Sequence, residues 1–486
     1  MLWRMLLKRA EEHGGRVAFR DKQGSLTFSA LVEEASSLAA YLALVGVAPG
    51  DRVAVILRNG VHLARALCAV LARGATAVPL SPALRPAEIE RCLSGIAPAA
   101  ALVEPGTAAG TREALERVGL VGARILEIAS VGGARSAPPA APAEDPDRVA
   151  YYLHSTGSTG FPKRVARTHA MMCADAEAYQ AVARLGPGDL IVGVAPLYHS
   201  YGISCVLHAV LKSGASARLF AEFAAEEILD EIGSKRATVY PGSAFHFSLL
   251  ATMTERPGVD LSSLRLCYSC GLGLPRQVAE RFRARFGVPV YQMYGATECS
   301  SATMNLEGDH DALVESVGRP LPGVGVAILD EHGESLEAGS EGEIAVRGPS
   351  VARCYEGQPE LSALSFRGGW FRTGDLGRLD ERGNLWVTGR IKLMINAAGN
   401  KVDPLEVENV IGAHPGVVEA AVVGVAGPHA VEWVKAVVVV RGSVTERELR
   451  EFCRERLAPY KVPRTFQFTE KLPRSPIGKL LRKDLI

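Results

Sequence analysis

Short apolar runs alternate with helical stretches over the first part of the chain. Residues 53–58 and 75–80 are apolar runs of strand length, and residues 62–73 between them have the apolar spacing of a helix. Such a strand–helix–strand unit is the building block of a parallel sheet with helices on its faces. The pattern therefore predicts an α/β architecture for this part.

The same order recurs further along the chain. Residues 189–195 form an apolar run, a helical stretch follows at about 203–212, and residues 215–220 are strand-like again. The helix-to-strand turns also correspond, with Arg73-Gly-Ala in the first copy and Ser213-Gly-Ala in the second. Two copies predict two similarly wound sheets packed together.

The pattern changes after about Pro322 and again beyond Gly389. Short strands with turns indicate a small β-rich subdomain, at residues 324–329, 342–347 and 383–387. The last stretch indicates a compact α+β unit, with helices at 404–411 and 445–457 and strands at 417–425 and 434–440. We therefore predict a large N-terminal domain at residues 1–388 and a small C-terminal domain at 389–486. A Pro/Ala-rich connector is expected at 131–147.

Composition narrows the function. A chain of 486 residues with 48% hydrophobic and 22% charged residues is long enough for two or more domains. Its net charge of +1 gives no attraction to nucleic acid. The first residues read as an amphipathic helix, and no apolar run is long enough to span a bilayer. Nine scattered cysteines are typical of reduced thiols, so we expect a cytoplasmic protein. The close pair Cys267 and Cys270 is interpreted as core packing, because no second pair completes a zinc site.

A loop of small residues occupies positions 155–163. It reads Ser155-Thr-Gly-Ser-Thr-Gly-Phe-Pro-Lys163 and follows a strand-like segment. Such a loop can wrap phosphates with N–H groups and hydroxyls, because glycine permits the dihedrals and has no Cβ. The spacing is not that of the usual P-loop, since no Ser or Thr follows Lys163. A flexible surface loop is the alternative.

Two other segments place a carboxylate after a strand or a turn. Thr297 and Glu298 follow the strand-like residues 288–292 and offer a hydroxyl to a phosphoryl oxygen and a hard oxygen ligand to Mg²⁺. Asp375 follows a tight turn and can accept hydrogen bonds from both ribose hydroxyls. Taken singly, each is also explained as an ordinary carboxylate at a strand end or turn.

Lys479 lies near the C-terminus in a turn bounded by proline and glycine, Pro473-Arg-Ser-Pro-Ile-Gly-Lys479. A lysine in such a turn supplies the point positive charge that phosphoryl or acyl-phosphate chemistry needs. Together with the loop at 155–163, it predicts an enzyme that consumes a nucleoside triphosphate.

Read jointly and in this order, the motifs resemble the adenylate-forming superfamily of acyl- and aryl-CoA ligases, luciferases and peptide-synthetase adenylation domains. The resemblance runs from about residue 149 to the C-terminus. Besides the segments above, it includes Gly389-Arg390-x-Lys392, Gly399 and Glu406. It implies a small mobile C-terminal domain, a carboxylic acid substrate, and ATP, Mg²⁺ and coenzyme A as cofactors.

The resemblance also implies residue roles. A carboxylate would attack the α-phosphorus of MgATP, giving acyl-AMP and pyrophosphate, with Lys479 bridging the two reactants. The loop residues that match the family's phosphate-binding motif are Ser155, Thr156, Gly157, Ser158, Thr159, Gly160 and Lys163. Thr297 would contact the α-phosphate, and Glu298 would bind the metal. The remaining nucleotide contacts would come from Gly271, Leu272, Gly273, Tyr294, Gly295, Asp375 and Arg390.

In this family the C-terminal domain then rotates about a hinge, here Lys392, and brings the loop containing Gly399 to a thiol channel. Two positions depart from the family pattern. Arg164 stands where relatives usually have Gly, which implies a less mobile loop or an extra cation there, with a surface arginine as the alternative. Leu393 replaces a common acid, with a packing role as the alternative.

The acid pocket is assigned by resemblance to residues 196–202, and residues 240–246 and 269–273 are expected to line the rest of it. His199 resembles the gate of acyl- and aryl-CoA ligases, with a core histidine as the alternative. The other expected pocket residues are Tyr198, Tyr201, Ser243, Gly271 and Ala296. Small and apolar residues around them suggest a hydrophobic acid, aliphatic or aromatic.

Coenzyme A is the preferred acceptor, because no carrier-protein segment is fused to the chain. A separate carrier protein remains the alternative acceptor, and the enzyme is expected to be a monomer or a homodimer. A non-catalytic nucleotide-binding protein and a luciferase-like oxidative enzyme are alternatives of a different class.

Overall fold

The computed structural model describes residues 1–128, 145–155, 163–253, 259–271, 273–306, 310–393, 395–397, 400–426, 432–457, 459–474 and 480–486. The helices, numbered along the chain, are α1 Leu2–His13, α2 Phe28–Leu44, α3 Val61–Ala72, α4 Pro86–Leu93, α5 Ala109–Arg117, α6 His169–Ala183, α7 Ser200–Gly202, α8 Ala209–Ser213, α9 Ala225–Lys235, α10 Ala244–Thr252, α11 Arg276–Phe286, α12 His310–Leu313, α13 Pro359–Ser365, α14 Pro404–Gly412 and α15 Glu446–Arg454. Short 3₁₀ turns add Gly122–Arg124, Ile391–Leu393, Pro459–Lys461 and Arg482–Leu485, and a π-helical stretch spans Ile203–His208.

Two large sheets form the N-terminal region. The strands of the first, six-stranded sheet are β3 Arg52–Ile56, β4 Thr76–Leu80, β5 Ala100–Val103, β6 Ile125–Glu127, β7 Val149–Ser155 and β8 Lys163–Thr168, in the order β6-β5-β3-β4-β7-β8. The strands of the second, nine-stranded sheet are β1 Val17–Arg20, β2 Ser25–Thr27, β9 Leu190–Gly193, β10 Ser216–Leu219, β11 Val239–Gly242, β12 Leu266–Cys270, β13 Tyr291–Ala296, β14 Ser300–Met304 and β15 Arg319–Pro320, in the order β15-β14-β13-β12-β11-β9-β10-β1-β2.

Both sheets are parallel at their centres. The pairs β3/β4 and β9/β10 are parallel, each joined through an intervening helical segment, which confirms the two predicted strand–helix–strand units. The edge hairpins β7/β8 and β13/β14 are antiparallel. The fold is therefore α/β with two similarly wound sheets, as the hydrophobic pattern predicted.

The main core lies between these sheets. Helix α3 is buried along nearly its whole length, because it packs on α2, on β3 and β4 of the six-stranded sheet and on β1 of the nine-stranded sheet, which explains its apolar character on all sides. Asn59, which is 3% exposed, connects the sheets: its Nδ2 donates to the carbonyls of Gly193 and Phe220 at 3.1 and 2.9 Å. Cys267 and Cys270 are buried in the core, in agreement with the packing interpretation.

A third, five-stranded sheet corresponds to the β-rich subdomain. Its strands are β16 Gly325–Leu329, β17 Gly342–Arg347, β18 Phe366–Arg367, β19 Trp370–Leu379 and β20 Leu385–Arg390. The long strand β19 pairs antiparallel with both β17 and β20. A separate apolar cluster forms on this sheet and includes Val165, Tyr355 and Ile344.

The rest of the chain, residues 395–486, is called the C-terminal unit below. It contains the hairpin β21 Ile395–Ala397 and β22 Asn400–Val402, and a three-stranded sheet of β23 Val417–Ala426, β24 Glu432–Val440 and β25 Thr465–Phe468. Helices α14 and α15 pack on it around a core of its own. Thr445 and Glu448 form a capping box that starts α15. This α+β composition agrees with the sequence prediction, whereas the domain boundary at 388/389 stays a prediction.

Two strand predictions were wrong at their ends. Residues 288–292 were expected to form a strand, but β13 spans Tyr291–Ala296, because its end pairs with β14 rather than stopping before the motif. Residues 383–387 were expected to form another, but β20 spans Leu385–Arg390. The connector at 131–147 lies mostly outside the described residues. Across the described part of the chain, no helix combines the length and apolarity needed to cross a membrane.

Candidate active site

A buried carboxylate joins three segments that are distant in sequence. Glu298 is 6% exposed and follows β13. Its Oε1 accepts hydrogen bonds from the Ser155 hydroxyl at 3.1 Å and from the Tyr355 hydroxyl at 2.9 Å. Lys163 Nζ donates to the same Tyr355 hydroxyl at 3.2 Å and lies 4.6 Å from the centroid of its ring. The two ends of the predicted phosphate loop are therefore linked to the predicted metal ligand Glu298, Ser155 directly and Lys163 through Tyr355.

Tyr355 was not predicted from the sequence. It lies in an irregular segment after β17, and its ring is buried in the cluster on the five-stranded sheet. Burial and the Glu298 carboxylate raise the pKa of Tyr355 well above its usual value, so its hydroxyl remains a donor. The signal available in the sequence was a lone aromatic residue after Arg353-Cys354, which has no recognisable spacing to Glu298.

A second carboxylate lies on the five-stranded sheet. Asp375 on β19 faces Arg390 on β20 across the strand pair, with 3.2 Å between Arg390 Nε and Asp375 Oδ1. The Tyr294 hydroxyl donates to Asp375 Oδ2 at 2.7 Å. Because a carboxylate has about four lone-pair sites, Asp375 retains the capacity to accept from vicinal hydroxyls. The structure thus brings together Tyr294, Asp375 and Arg390, all three predicted for the nucleotide.

The predicted acid-pocket residues lie at the carboxyl ends of neighbouring strands. Ser243, Gly271 and Ala296 end or follow β11, β12 and β13, which are adjacent and parallel. In an α/β sheet this edge is where ligands bind. The backbone of Gly271 has a φ of +89°, and among the described residues no atom beyond its chain neighbours lies within 4 Å of the position that a Cβ would take. Within the described part of the chain, the space beside this glycine is open.

Aromatic side chains surround this edge. Tyr201 donates its hydroxyl to the carbonyl of Gly242 at 3.0 Å, immediately before Ser243. Tyr198 is buried, and its ring meets His199 edge-on at 4.9 Å between centroids. The ring of His199 thus packs directly on that of Tyr198.

The segment 240–246, expected to line the acid pocket, carries Phe245 and His246, whereas their neighbour Phe223 was missed from the sequence. His246 on α10 stacks on Phe223 at 4.5 Å, and Phe245 lies beside both. Burial, with a smaller effect of the nearby Arg474 cation, lowers the pKa of His246 to about 4. His246 is therefore a neutral, buried side chain at neutral pH.

The C-terminal unit touches this region through Arg474. The guanidinium of Arg474 lies 4.4 Å from the ring centroid of Phe245 and donates to Glu419 Oε1 at 2.7 Å. Arg474 precedes the segment that carries Lys479. Lys479 lies outside the described residues, and so do Thr156, Gly157, Ser158, Thr159, Gly160, Leu272 and Gly399, whereas Gly273 and Gly295 lie within them.

The predicted hinge is a 3₁₀ turn, Ile391–Leu393, directly after β20. A Cβ on Gly389 would lie 3.0 Å from Asp403 Oδ2, so this position accepts little more than glycine. Asp403 caps α14 through a 2.9 Å hydrogen bond from Leu405 N. Burial raises the pKa of Asp403 to about 6.

Arg164 was expected to stiffen the phosphate loop or to add a cation there. Its Nη2 donates to the carbonyl oxygens of Ser94 and Cys92 at the end of α4. Cations are favoured at a helix C-terminus. The side chain thus fastens β8 to α4 on the sheet face away from Lys163, and the expectation of an extra cation for the phosphates is not supported.

The chemistry of the site fits Mg²⁺ carried by a nucleotide. In the part of the chain that the structure describes, there is no cluster of three His, Cys, Asp or Glu side chains that could hold a metal by itself. Mg²⁺ in nucleotide enzymes is typically bound by one or two carboxylates plus phosphates and water. Glu298, bonded through one oxygen to two hydroxyl donors, is a carboxylate of that kind.

Comparison with known proteins agrees with this geometry. The family model described as AMP-binding enzyme matches residues 6–356, and the AMP-binding enzyme C-terminal domain matches residues 406–479. An oxalate–CoA ligase of Arabidopsis thaliana is 33% identical, covering 93% of this chain and 91% of its own. A feruloyl-CoA synthase of an Amycolatopsis species is 33% identical, covering 99% and 97%.

Among solved structures, ATP-bound MatB from Rhodopseudomonas palustris superposes with a TM-score of 0.90 at 28% identity, covering 100% of this chain and 97% of that one. The apo form of the same protein, with equal identity and coverage, gives a TM-score of 0.79. The overall arrangement of this chain is therefore closer to the nucleotide-bound form of that relative. With two family models matched over most of its length, the chain belongs to the AMP-binding enzyme family.

Proposed function

We propose that this protein is an AMP-forming acid–CoA ligase that activates a hydrophobic carboxylic acid with MgATP and transfers the acyl group to the thiol of coenzyme A. The observation that carries the proposal is the convergence of Ser155 and Tyr355 on the buried Glu298 carboxylate, with Lys163 bonded to the same Tyr355 hydroxyl. These groups come from the phosphate loop, the motif after β13 and the five-stranded sheet, and they form a site for a metal-bound polyphosphate.

In the first half-reaction, an oxygen of the acid attacks the α-phosphorus, the bond to the bridging oxygen breaks, and pyrophosphate leaves. The phosphate loop ending at Lys163 holds the β- and γ-phosphates, and Thr297 holds the α-phosphate. Asp375 and Arg390 hold the ribose, while Tyr294, Gly295 and Gly271–Gly273 frame the base. Glu298 would hold Mg²⁺ together with the phosphates, and the ion would supply positive charge to the phosphate oxygens.

Lys479 is the proposed catalytic cation. It bridges the acid and the α-phosphate and stabilises the charge that develops as the new bond forms. The contact of Arg474 with Phe245 supports this role, because it holds the start of the lysine-bearing segment next to the pocket helix α10. The similarity to ATP-bound MatB is in keeping with such an arrangement.

In the second half-reaction, the thiol attacks the acyl carbonyl and AMP leaves. We propose that the domain at 389–486 rotates about Lys392 relative to the domain at 1–388, withdrawing Lys479 and bringing the loop with Gly399 to the thiol. The exposure of Ile391, which is 45% accessible, is compatible with a pivot at this turn. The enzyme would act in the cytoplasm as a monomer or homodimer, and none of its nine cysteines forms a disulfide.

The acid is proposed to be aliphatic or aromatic rather than a small dianion. Tyr198, Tyr201 and His246 surround the pocket region, and His246 is neutral. Arg474, the cation near the pocket, is engaged by Glu419 and the Phe245 ring. A second carboxylate on the substrate would therefore compete with Glu419 for Arg474.

The test is a panel of acids incubated with ATP, Mg²⁺ and coenzyme A, with acyl-AMP and acyl-CoA read by mass spectrometry. The panel pairs benzoates, cinnamates and medium-chain fatty acids with oxalate and malonate. We expect acyl-CoA from a hydrophobic acid and none from the two dianions. Acyl-AMP without thioester would identify a carrier protein as the acceptor. Absence of acid-dependent pyrophosphate exchange across the panel would favour a non-catalytic nucleotide-binding protein.

A further inference from the structure

Arg167 is a fully buried cation behind the motif that carries Glu298. Its side chain is 0% exposed. Nη1 donates to the carbonyl of Thr297 at 2.9 Å, and Nη2 donates to the Ser300 hydroxyl and to the carbonyl of Ser350, each at 2.6 Å. All three acceptors are neutral, and burial lowers the pKa of Arg167. Charged side chains are almost never fully buried without a specific need, so this position requires an explanation.

The register of β8 connects Arg167 to the phosphate loop. Side chains alternate along a strand, so Lys163, Val165 and Arg167 share one face. Lys163 bonds to Tyr355, Val165 forms a β-bridge with Tyr355 and packs in the same cluster, and Arg167 reaches the turn beyond Glu298. The same face of β8 thus carries Lys163, at the end of the phosphate loop, and Arg167, which bonds to the turn that contains Glu298.

The turn itself is strained. Ser300 has a φ of +56°, in the left-handed region that residues other than glycine rarely adopt. Arg167 bonds to both sides of the turn, at Thr297 and Ser300, and Asp175 Oδ1 accepts from Ser301 N at 3.1 Å. The carbonyl of Glu298 accepts from Ala352 N at 2.7 Å. The surrounding structure therefore holds a conformation that the turn would not favour alone.

We propose that Arg167 is a positioning residue for the adenylation step: it holds residues 297–300 in register with Lys163, so that Thr297 and Glu298 meet the α-phosphate and Mg²⁺. Arg167 acts through the backbone and does not contact the nucleotide. The inference rests on the proposed function, in which Glu298 binds the nucleotide-borne metal.

The test compares Arg167→Met, which keeps most of the volume, with Arg167→Lys, which keeps the charge. We expect Arg167→Met to lower kcat for acid-dependent pyrophosphate exchange by about tenfold to a hundredfold, because displacements near 1 Å at reacting groups have effects of this size. The MgCl₂ concentration for half-maximal rate should rise several-fold. Calorimetry with α,β-methylene-ATP should show weaker binding in the presence of MgCl₂ and unchanged binding without it. Arg167→Lys should be intermediate.

The matched control is Arg65→Met. Arg65 is another buried arginine, 7% exposed, which donates to Glu34 and to the carbonyl of Ile128 on other elements. Both variants are assayed at the same interval below their Tm. If Arg167→Met lost only Tm and retained wild-type kcat and Mg²⁺ dependence, like the control, the positioning role would be wrong.

If Arg167→Met does not fold, Ser300→Ala decides the question. It removes one acceptor of Arg167 and should raise the Mg²⁺ requirement in the same direction with a smaller size, and wild-type behaviour would overturn the proposal. Failure of the proposed function has a separate signature. In that case the wild type would form no acyl-AMP from any acid, while the calorimetric Mg²⁺ effect on analogue binding would still report on Arg167.

Discussion

The two regions that supply the proposed site hold their functional groups in different ways. In the N-terminal region, Glu298 is buried and Tyr294 is partly buried, and each bonds to a side chain from a distant segment. In the C-terminal unit, the contact with the pocket is made by Arg474 on the ring of Phe245. The first set of groups is part of a packed core, whereas the second depends on how two units are placed.

This difference separates two kinds of perturbation. In the N-terminal region, the proposed nucleotide-binding side chains are fixed by the packed core. Substitutions there should therefore change both the free energy of unfolding and the Mg²⁺ requirement. In the proposed mechanism, the position of Lys479 depends on how the C-terminal unit is placed against the N-terminal region. Substitutions that alter this placement should slow one half-reaction without unfolding the protein. The predictions below are ordered from the largest expected effect to the smallest.

Acid should destabilise the N-terminal region far more than the C-terminal unit. Burial lowers the pKa of His208 to about 3 and of His169 and His246 to about 4. Since the unfolded chain binds these protons near pH 6.5, their stabilisation is complete above that value and is lost as the pH falls towards 4. His208 is 0% exposed, and its protonation should lower the free energy of unfolding by on the order of 4 kcal/mol.

Two buried carboxyl groups act in the opposite direction. Burial raises the pKa of Asp175 in the N-terminal region and of Asp403 in the C-terminal unit, the latter to about 6. Their contribution is present at low pH and is lost as the pH rises through the folded value. Asp403 should therefore make its own unit slightly more stable at pH 5 than at pH 7.

Hydrogen exchange of each region at pH 7 and pH 5 measures this contrast. His208→Gln, which can still bond to the Tyr151 hydroxyl, should flatten the pH dependence of unfolding below 6.5. An unchanged slope in that variant, or equal acid sensitivity of both regions, would contradict the assignment of the effect to buried histidines.

Replacing Lys479 with alanine should slow acyl-AMP formation by about a hundredfold to a thousandfold, the usual effect of removing one group that stabilises transition-state charge. Transfer to coenzyme A from supplied acyl-AMP should change little, because the proposed domain rotation withdraws Lys479 in that step. Lys471→Ala, an exposed lysine of the same unit, is the control and should be neutral in both assays. Equal loss in both half-reactions would mean that the lysine does not act through domain arrangement.

The same division marks what could be predicted from the sequence. Ser155, Lys163, Glu298 and Asp375 were identified because motifs with small residues and carboxylates have recognisable local patterns. Tyr355 was missed, because its role arises from a tertiary bridge to Val165 and not from local spacing. The end of β13 was misplaced for a similar reason, since its length is set by pairing with β14. Local sequence patterns predict the candidate reactive groups. The residues that position those groups are determined by contacts between elements distant in sequence.

Tyr355→Phe tests such a support directly. Losing the hydroxyl removes hydrogen bonds to Glu298 and Lys163, and bonds to charged groups contribute about 1.5–3 kcal/mol, so adenylation should slow by about tenfold or more. The Mg²⁺ requirement should rise as Glu298 loses a donor. Tyr355 bridges to Val165 on the β7/β8 hairpin, and Tyr152 lies on the opposite face of that hairpin. Tyr152→Phe should therefore behave as wild type. Wild-type Mg²⁺ dependence in Tyr355→Phe would show that the hydroxyl does not orient the carboxylate.

Removing the contact between Arg474 and Phe245 should have the smallest effect on the rate of adenylation. It compares the N-terminal region and the C-terminal unit directly, because each contributes one side chain to the contact. A cation–π interaction contributes about 0.5–2 kcal/mol, so Phe245→Leu and Arg474→Ala should each slow adenylation several-fold and spare thioester formation. Both changes remove the cation–π contact, and Arg474→Ala also breaks the ion pair with Glu419, so the double variant should be little worse than Arg474→Ala alone. Arg464 lies 4.3 Å from the ring of Trp433 inside the C-terminal unit, so Arg464→Ala should lower stability without separating the half-reactions. Additive losses in the double variant would mean that the ring and the guanidinium act independently, and that the lysine-bearing segment is brought to the pocket by other contacts.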